Sequence, residues 1–245
     1  MTLVIAHRGA SAYAPENTMP AFELAVAQGA DMAELDVQAT ADGTLVVFHD
    51  ETTERWNGIQ RRIDTCTLAD MRSLDIQGAG VPTLAEVCAF AREKGLRLNI
   101  ELKQAGIGAQ VVDVVRQERA GDLVLFSSFE PEALAELAAA APSLPRAYLM
   151  GTQTYQIDVR LRESWPFAAL RAYDCAAWHP AHQIPLLQQI IPLVRRAGIQ
   201  VNVWTVDDPA MMQRLLDLDV DGIITDTPDV LRGIIAERAA KAASA

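Results

Sequence analysis

Short apolar runs and longer amphipathic stretches alternate along nearly the whole chain. The runs predict strands over Leu3–His7, Met32–Val37, Arg97–Leu102, Leu123–Ser127, Arg146–Leu149, Leu170–Asp174, Gln200–Trp204 and Gly222–Thr225. Between them, apolar residues recur at helical spacing over Thr18–Gln28, Thr83–Lys94, Gly108–Arg119, Pro131–Ala140, Ile157–Trp165, Ile184–Ala197, Pro209–Leu216 and Asp229–Ala240. Capping residues or prolines open several of these helices, as at Thr83 and Asp208-Pro209. Gly29, Gly95 and Gly198 close others. Eight βα units in 245 residues predict an α/β fold, a closed (β/α)8 TIM barrel, which typically takes about 250 residues. The rival, an open doubly wound sheet, would carry a glycine-rich phosphate loop after its first strand, and no such loop follows here.

One stretch departs from the alternation. Leu45–His49 reads as a short extra strand, and the polar segment from Asp50 to Val81 follows it. Trp56-Asn57-Gly58 marks a turn there, and Leu68–Leu74 is helical in pattern. The expectation is one barrel domain over residues 1–245, with a small insertion at about 50–81 after the second strand. Connections of that length usually carry function.

Polar side chains gather where the strands end. Glu34 and Asp36 are two apart in a strand, so they share one face, while Ala33, Leu35 and Val37 take the other. Glu101 repeats the pattern on the next strand, with Asn99 and Lys103 on its face. Consecutive strands are neighbours in a barrel, so three acids converge. Two carboxylates at about 4 Å repel by ~4 kcal/mol at an effective dielectric of 20. A divalent cation offsets that, and oxygen donors favour Mg2+ or Ca2+; the alternative is neutralisation by Arg8 and Lys103 alone. His7 and His49 each end an apolar run beside a charged residue. Two imidazoles supply an acid and a base for phosphoryl displacement.

Arg8 offers a forked grip on phosphate, or a rim salt bridge to Glu16 or Glu34. Lys103 offers charge to phosphoryl oxygens, or a partner to a strand-end acid. Trp204 walls a pocket or packs in the core. Asn17 or Thr18 is expected to cap the following helix, and His179 and His182 to be solvated loop residues.

Composition narrows the partners. Half of the residues are hydrophobic, enough for a large core. A net charge of −11 argues against nonspecific nucleic-acid binding but leaves a small anionic substrate open. Cys66, Cys88 and Cys175 have no metal-ligand spacing and read as reduced, buried thiols. There is no leader-like opening and no apolar run near the roughly 20 residues of a membrane span. The expectation is a soluble cytoplasmic protein.

The ordered set of motifs resembles the glycerophosphodiester phosphodiesterase family. It runs H-R-G-A at 7–10, P-E-N-T at 15–18, E-L-D-V at 34–37, H-D at 49–50, P-T-L-x-E at 82–86, E-L-K at 101–103, S-S-F at 127–129, V-W-T-V at 203–206 and D-G-I-I-T-D-x-P at 221–228. The resemblance implies a TIM barrel that hydrolyses glycerophosphodiesters to sn-glycerol 3-phosphate and an alcohol. It implies that His7 and His49 are the acid/base pair, that Glu34, Asp36 and Glu101 hold one divalent cation, and that Arg8 and Lys103 contact phosphate. The segment after His49-Asp50 departs from the family pattern, with Trp56 inside what is usually a threonine run. Two rival readings are a lysophospholipid-cleaving relative and a phosphodiester-binding module without turnover. A glycoside hydrolase built on Glu34 and Glu101 is a third, but it would have no need of His7, His49 and Arg8 together.

Overall fold

The computed structural model describes residues 2–151, 159, 163 and 165–244. Its strands are β1 (Leu3–Ala6), β2 (Met32–Ala39), β3 (Leu45–Val47), β4 (Arg97–Leu102), β5 (Val124–Ser128), β6 (Arg146–Met150), β7 (Ala177–Pro180), β8 (Gln200–Val203) and β9 (Gly222–Thr225). Parallel pairing runs from β1 through β2, β4, β5, β6, β7, β8 and β9, and returns to β1. The sheet is therefore a closed (β/α)8 barrel. The short β3 pairs antiparallel with the far end of β2, Val37 opposite Val47, beyond the reach of β1.

The helices lie outside the barrel: α1 (Met19–Ala27), α4 (Leu84–Lys94), α5 (Gly108–Gln117), α6 (Pro131–Ala140), α7 (Phe167–Ala172), α8 (Leu187–Arg196), α9 (Pro209–Asp217) and α10 (Pro228–Ala243). Between β3 and α4 lie two short helices, α2 (Glu54–Asn57) and α3 (Leu68–Arg72). Thr83 and Glu86 close a reciprocal cap on α4, and Thr67 and Asp70 do the same on α3. Leu35 and Val37 pack outward with Phe22, Leu84 and Val87, on the face opposite Glu34 and Asp36. The segment after β3 has an apolar cluster of its own, with Phe48, Ile63, Met71, Ile76 and Val81 buried together.

The seventh strand corrects the sequence reading. Leu170–Asp174 was expected to be extended, but Leu170 is the buried residue of α7 and Asp174 turns left-handed at φ 48°. The strand is Ala177–Pro180, with Ala177 opposite Ala147 and Gln200. Small residues and a proline disguised it. Pro180 ends the strand, where its missing N–H is not needed and its carbonyl accepts from Trp204 N. The helix expected over Ile157–Trp165 lies almost wholly outside the described residues.

Inward positions form layers along the barrel axis. Ile5, Met32, Leu125, Ala147, Ala177 and Ile224 make an apolar plug. Asn99, Ser127, His179 and Asn202 are also inward and buried. His179 is thus a core residue of β7 and not a solvated loop residue. Asn202 Nδ2 donates to its Nε2 at 2.9 Å, which places the ring proton on Nδ1. Burial pushes its pKa down to about 3, so the ring is neutral in the fold. In the unfolded chain it titrates near 6.5. Between these values the unfolded state binds the extra proton, so the stability His179 supplies is complete above pH 6.5 and is lost as pH falls toward 3. The full effect is on the order of 5 kcal/mol. In denaturant titrations from pH 7 to pH 4, His179→Gln is expected to lose stability less steeply than the parent protein. Equal slopes would mean that this ring does not contribute to acid sensitivity.

Candidate active site

The chain leaves β1 at Ala6 and turns sharply. Arg8 and Gly9 are both left-handed, at φ 54° and 84°. A side chain on Gly9 would lie 2.6 Å from the backbone of Ala21, so α1 closes against a position only glycine fills. The left-handed arginine is strained, as residues at functional sites often are. The strain brings Arg8 back over the barrel mouth. Its N–H donates to Glu34 Oε2 at 3.0 Å, Nε lies 3.2 Å from Asp36 Oδ2, and Nη1 donates to Glu16 Oε1 at 3.0 Å.

Strand register assembles the acids. Asp36 stands opposite Glu101, and Glu34 opposite Asn99. One carboxylate oxygen from each of Glu34, Asp36 and Glu101 lies within 4.8 Å of the others, and all three residues are buried. Lys103 Nζ donates to Glu101 Oε1 at 2.8 Å and lies 3.3 Å from Asp36 Oδ1. Asn17 Nδ2 donates to Asp36 Oδ2 at 2.8 Å, which replaces the capping role expected of it. Thr18 does occupy the cap position of α1, but its hydroxyl donates to Pro15 O and makes no cap.

The three carboxylates share the charge unequally. Burial, then the charges of Asp36 and Glu101, push Glu34 up to about 8. Burial likewise raises Glu101, with Asp36 adding to it. Burial acts against Asp36 too, but Lys103, Arg8 and the Asn17 hydrogen bond hold it down at about 2. Buried, hard oxygen donors that repel one another suit Mg2+ or Ca2+.

Both histidines are held from behind by carboxylates. A carboxylate only accepts, so each Nδ1 carries the proton: His7 donates to Asp226 at 2.6 Å and His49 to Asp50 at 3.0 Å. Each Nε2 is left outside these hydrogen bonds. His7 Nε2 lies 3.9 Å from Glu34. Burial alone would lower the pKa of His7, but Asp226 and Glu34 outweigh it and raise it; burial lowers that of His49.

Three supporting residues went unread in the sequence. Asp226 stands two positions past Ile224, on the inward face of the last strand, so the alternation of period two could have found it. Gln38 donates to the carbonyls of Phe48 and Asp50 at 2.8 and 2.9 Å and pins the His49 loop. Arg55 bridges Glu16 and Asp50 and stacks over Trp56 at 4.4 Å. Nothing in the local pattern marked it. Glu16, His49 and Asp50 also come within 4.8 Å of one another, but the Arg55 guanidinium already balances that cluster.

A cavity of about 240 Å³ opens at the C-terminal ends of the strands. His7, Arg8, Glu34, His49, Glu101 and Lys103 line one side; Phe129, Leu149, Trp204 and Ile224 line the other. Asp36 is nearly fully buried, held by Asn17, Arg8 and Lys103. Trp204 belongs both to the wall and to the core. Its Nε1 donates to His179 O, and its ring meets Phe129 edge-on.

The sequence pattern of the glycerophosphoryl diester phosphodiesterase family matches residues 7–230. The chain belongs to that family. It is 35% identical over 248 residues to the glycerophosphodiester phosphodiesterase of Caldanaerobacter subterraneus subsp. tengcongensis, covering 96% of this chain and 98% of that one. Among solved structures, a phosphodiesterase of Oleispira antarctica in complex with the product sn-glycerol-3-phosphate superposes with a TM-score of 0.84 at 30% identity, covering 95% and 96% of the two chains. A glycerophosphodiester phosphodiesterase of Agrobacterium tumefaciens superposes with a TM-score of 0.78 at 30% identity, covering 94% and 99%. The chain is an enzyme of this hydrolase class.

The Asp226 hydrogen bond fixes the tautomer and the direction of the His7 ring. Asp226→Asn keeps the shape but can donate where it must accept. Turnover is expected to fall by about 10²–10⁴ with the unfolding midpoint little changed. Turnover within threefold of the parent would remove Asp226 from the positioning of His7.

Proposed function

We propose that the protein hydrolyses glycerophosphodiesters to sn-glycerol 3-phosphate and an alcohol, with His7 and His49 as the acid/base pair and a divalent cation held by Glu34, Asp36 and Glu101. The observation that carries this reading is one cavity lined together by two carboxylate-anchored imidazoles, two of the three acids and two cationic side chains. The Oleispira antarctica relative, which holds sn-glycerol-3-phosphate as its product, supports the same substrate class.

The roles follow from the donors present. Arg8 and Lys103 face the cavity as fixed positive charge, and they neutralise the non-bridging oxygens of a phosphodiester as charge builds in the transition state. Glu34, Asp36 and Glu101 would hold the divalent cation, which when bound would supply a further positive centre for the phosphoryl group and lower the pKa of a nearby hydroxyl. One Nε2 takes the proton from the attacking group, which is water or the substrate's own 2-hydroxyl, and the other gives a proton to the oxygen of the departing alcohol; when the 2-hydroxyl attacks, water then opens the cyclic phosphate to the same product. Asp226 and Asp50 stabilise whichever ring is cationic. Phe129, Leu149 and Trp204 exclude water from one side of the reacting group.

The test is release of glycerol 3-phosphate from glycerophosphocholine, -ethanolamine and -glycerol. EDTA is expected to abolish release, and Mg2+ or Ca2+ to restore it. His7→Ala and His49→Ala are each expected to lower turnover by about 10²–10⁴ in folded protein. The variant rescued by a nitrophenolate leaving group, which needs no proton, identifies the acid. Full release in EDTA would dismiss the cation, and no release from any of the three in metal-replete protein would overturn the reading.

Binding without turnover has its own signature. The cation is expected to raise the unfolding temperature of the parent protein but not of Glu34→Gln. A shift of equal size in both would place the cation elsewhere.

A further inference from the structure

Asn99 sits on β4 two residues before Glu101, on the same inward face, and directly opposite Glu34 on β2. It therefore lies one pleat, about 6–7 Å, deeper in the barrel than Glu101. Its side chain lines the cavity, is fully buried, and leaves both Oδ1 and Nδ2 without a hydrogen-bond partner among the described residues. A buried polar atom left unpaired is destabilising, and Asn99 has two. An apolar side chain of similar size would occupy the position without that penalty.

An amide presents one donor and one acceptor side by side. Its complement is a group that also both donates and accepts, which is an alcohol hydroxyl. The opposite wall offers none of this: Phe129 and Leu149 are apolar, and the Trp204 N–H is taken by His179 O.

We propose that Asn99 is a specificity residue that hydrogen-bonds the free terminal hydroxyl of the substrate's glycerol, and so selects deacylated glycerophosphodiesters. The inference rests on the phosphodiesterase reading of the same cavity. With the phosphodiester held at Arg8, Lys103 and the two histidines, the glycerol points down past the carboxylates, and its far hydroxyl reaches Asn99. A fatty-acyl ester at that oxygen has no proton to give and carries a chain that the closed apolar plug beneath, Ile5, Leu125 and Ile224, does not admit.

The test compares glycerophosphocholine with its analogue lacking only the terminal hydroxyl, 2-hydroxypropyl phosphocholine. The parent protein is expected to prefer the former by about 10–100-fold in kcat/KM, because the analogue leaves the amide unpaired. Asn99→Ala is expected to bring that preference within about threefold, by losing far more on glycerophosphocholine than on the analogue. A parent protein that turns over both diesters equally overturns the subsite, a result that needs no variant to fold. An Asn99→Ala protein that keeps the full preference also overturns it, and leaves Asn99 a structural residue. Hydrolysis of neither diester defeats the phosphodiesterase reading itself, which the other outcomes leave standing.

Discussion

Three carboxylates are held together against their own repulsion, and most of the polar architecture at the barrel mouth is a response to that. One oxygen of each lies within 4.8 Å of the others, and two ionised carboxylates at that range repel by ~3 kcal/mol at an effective dielectric of 20. Arg8, Lys103 and Asn17 answer it at Asp36, and the Arg8 N–H answers it at Glu34. Even so, Glu34 stays well above the usual carboxylate range. The strained backbone at Arg8 belongs to the same account, since an unstrained turn would carry the guanidinium away from Asp36. Stability is given up locally so that negative charge is concentrated where a cation is wanted, and the surrounding barrel, with its closed hydrogen bonding, is rigid enough to tolerate it.

Two outer elements extend this frame. Asp50 and Glu16 each hold a catalytic-face cation or imidazole, and Arg55 ties them together. The segment after β3 is thereby coupled to the β1 loop. Trp56, over which Arg55 stacks, packs against that segment's apolar cluster. The cavity is thus two-sided by construction: charged and rigid where chemistry is expected, aromatic and apolar where it is not.

Much of this was legible in the sequence, for identifiable reasons. Alternation around Glu34 and Asp36 put two acids on one face, because a strand has a period of two whatever surrounds it. The barrel followed from counting units. The misplaced seventh strand shows where such reading fails: Leu170 and Tyr173 look extended in isolation, while Ala177-Trp178-His179-Pro180 carries too few β-branched residues to be seen. Long-range partners were illegible for another reason. Asn17 looked like a cap because capping is the commonest local use of asparagine; its true partner, Asp36, is 19 residues away. Asp226 reaches His7 across 219 residues and Arg55 reaches Glu16 across 39, contacts that exist only after the chain has folded.

The His7–Asp226 hydrogen bond spans 219 residues, nearly the full chain, and joins the first strand to the end of the last. Chain order thereby becomes a timing device. During synthesis the histidine emerges 219 residues before the carboxylate that orients it. Every shorter nascent chain therefore holds an imidazole with neither fixed tautomer nor direction, however well its earlier units have folded. Loss of the segment that carries Asp226 would return the ring to that state, so the orientation of one imidazole reports whether the barrel has closed.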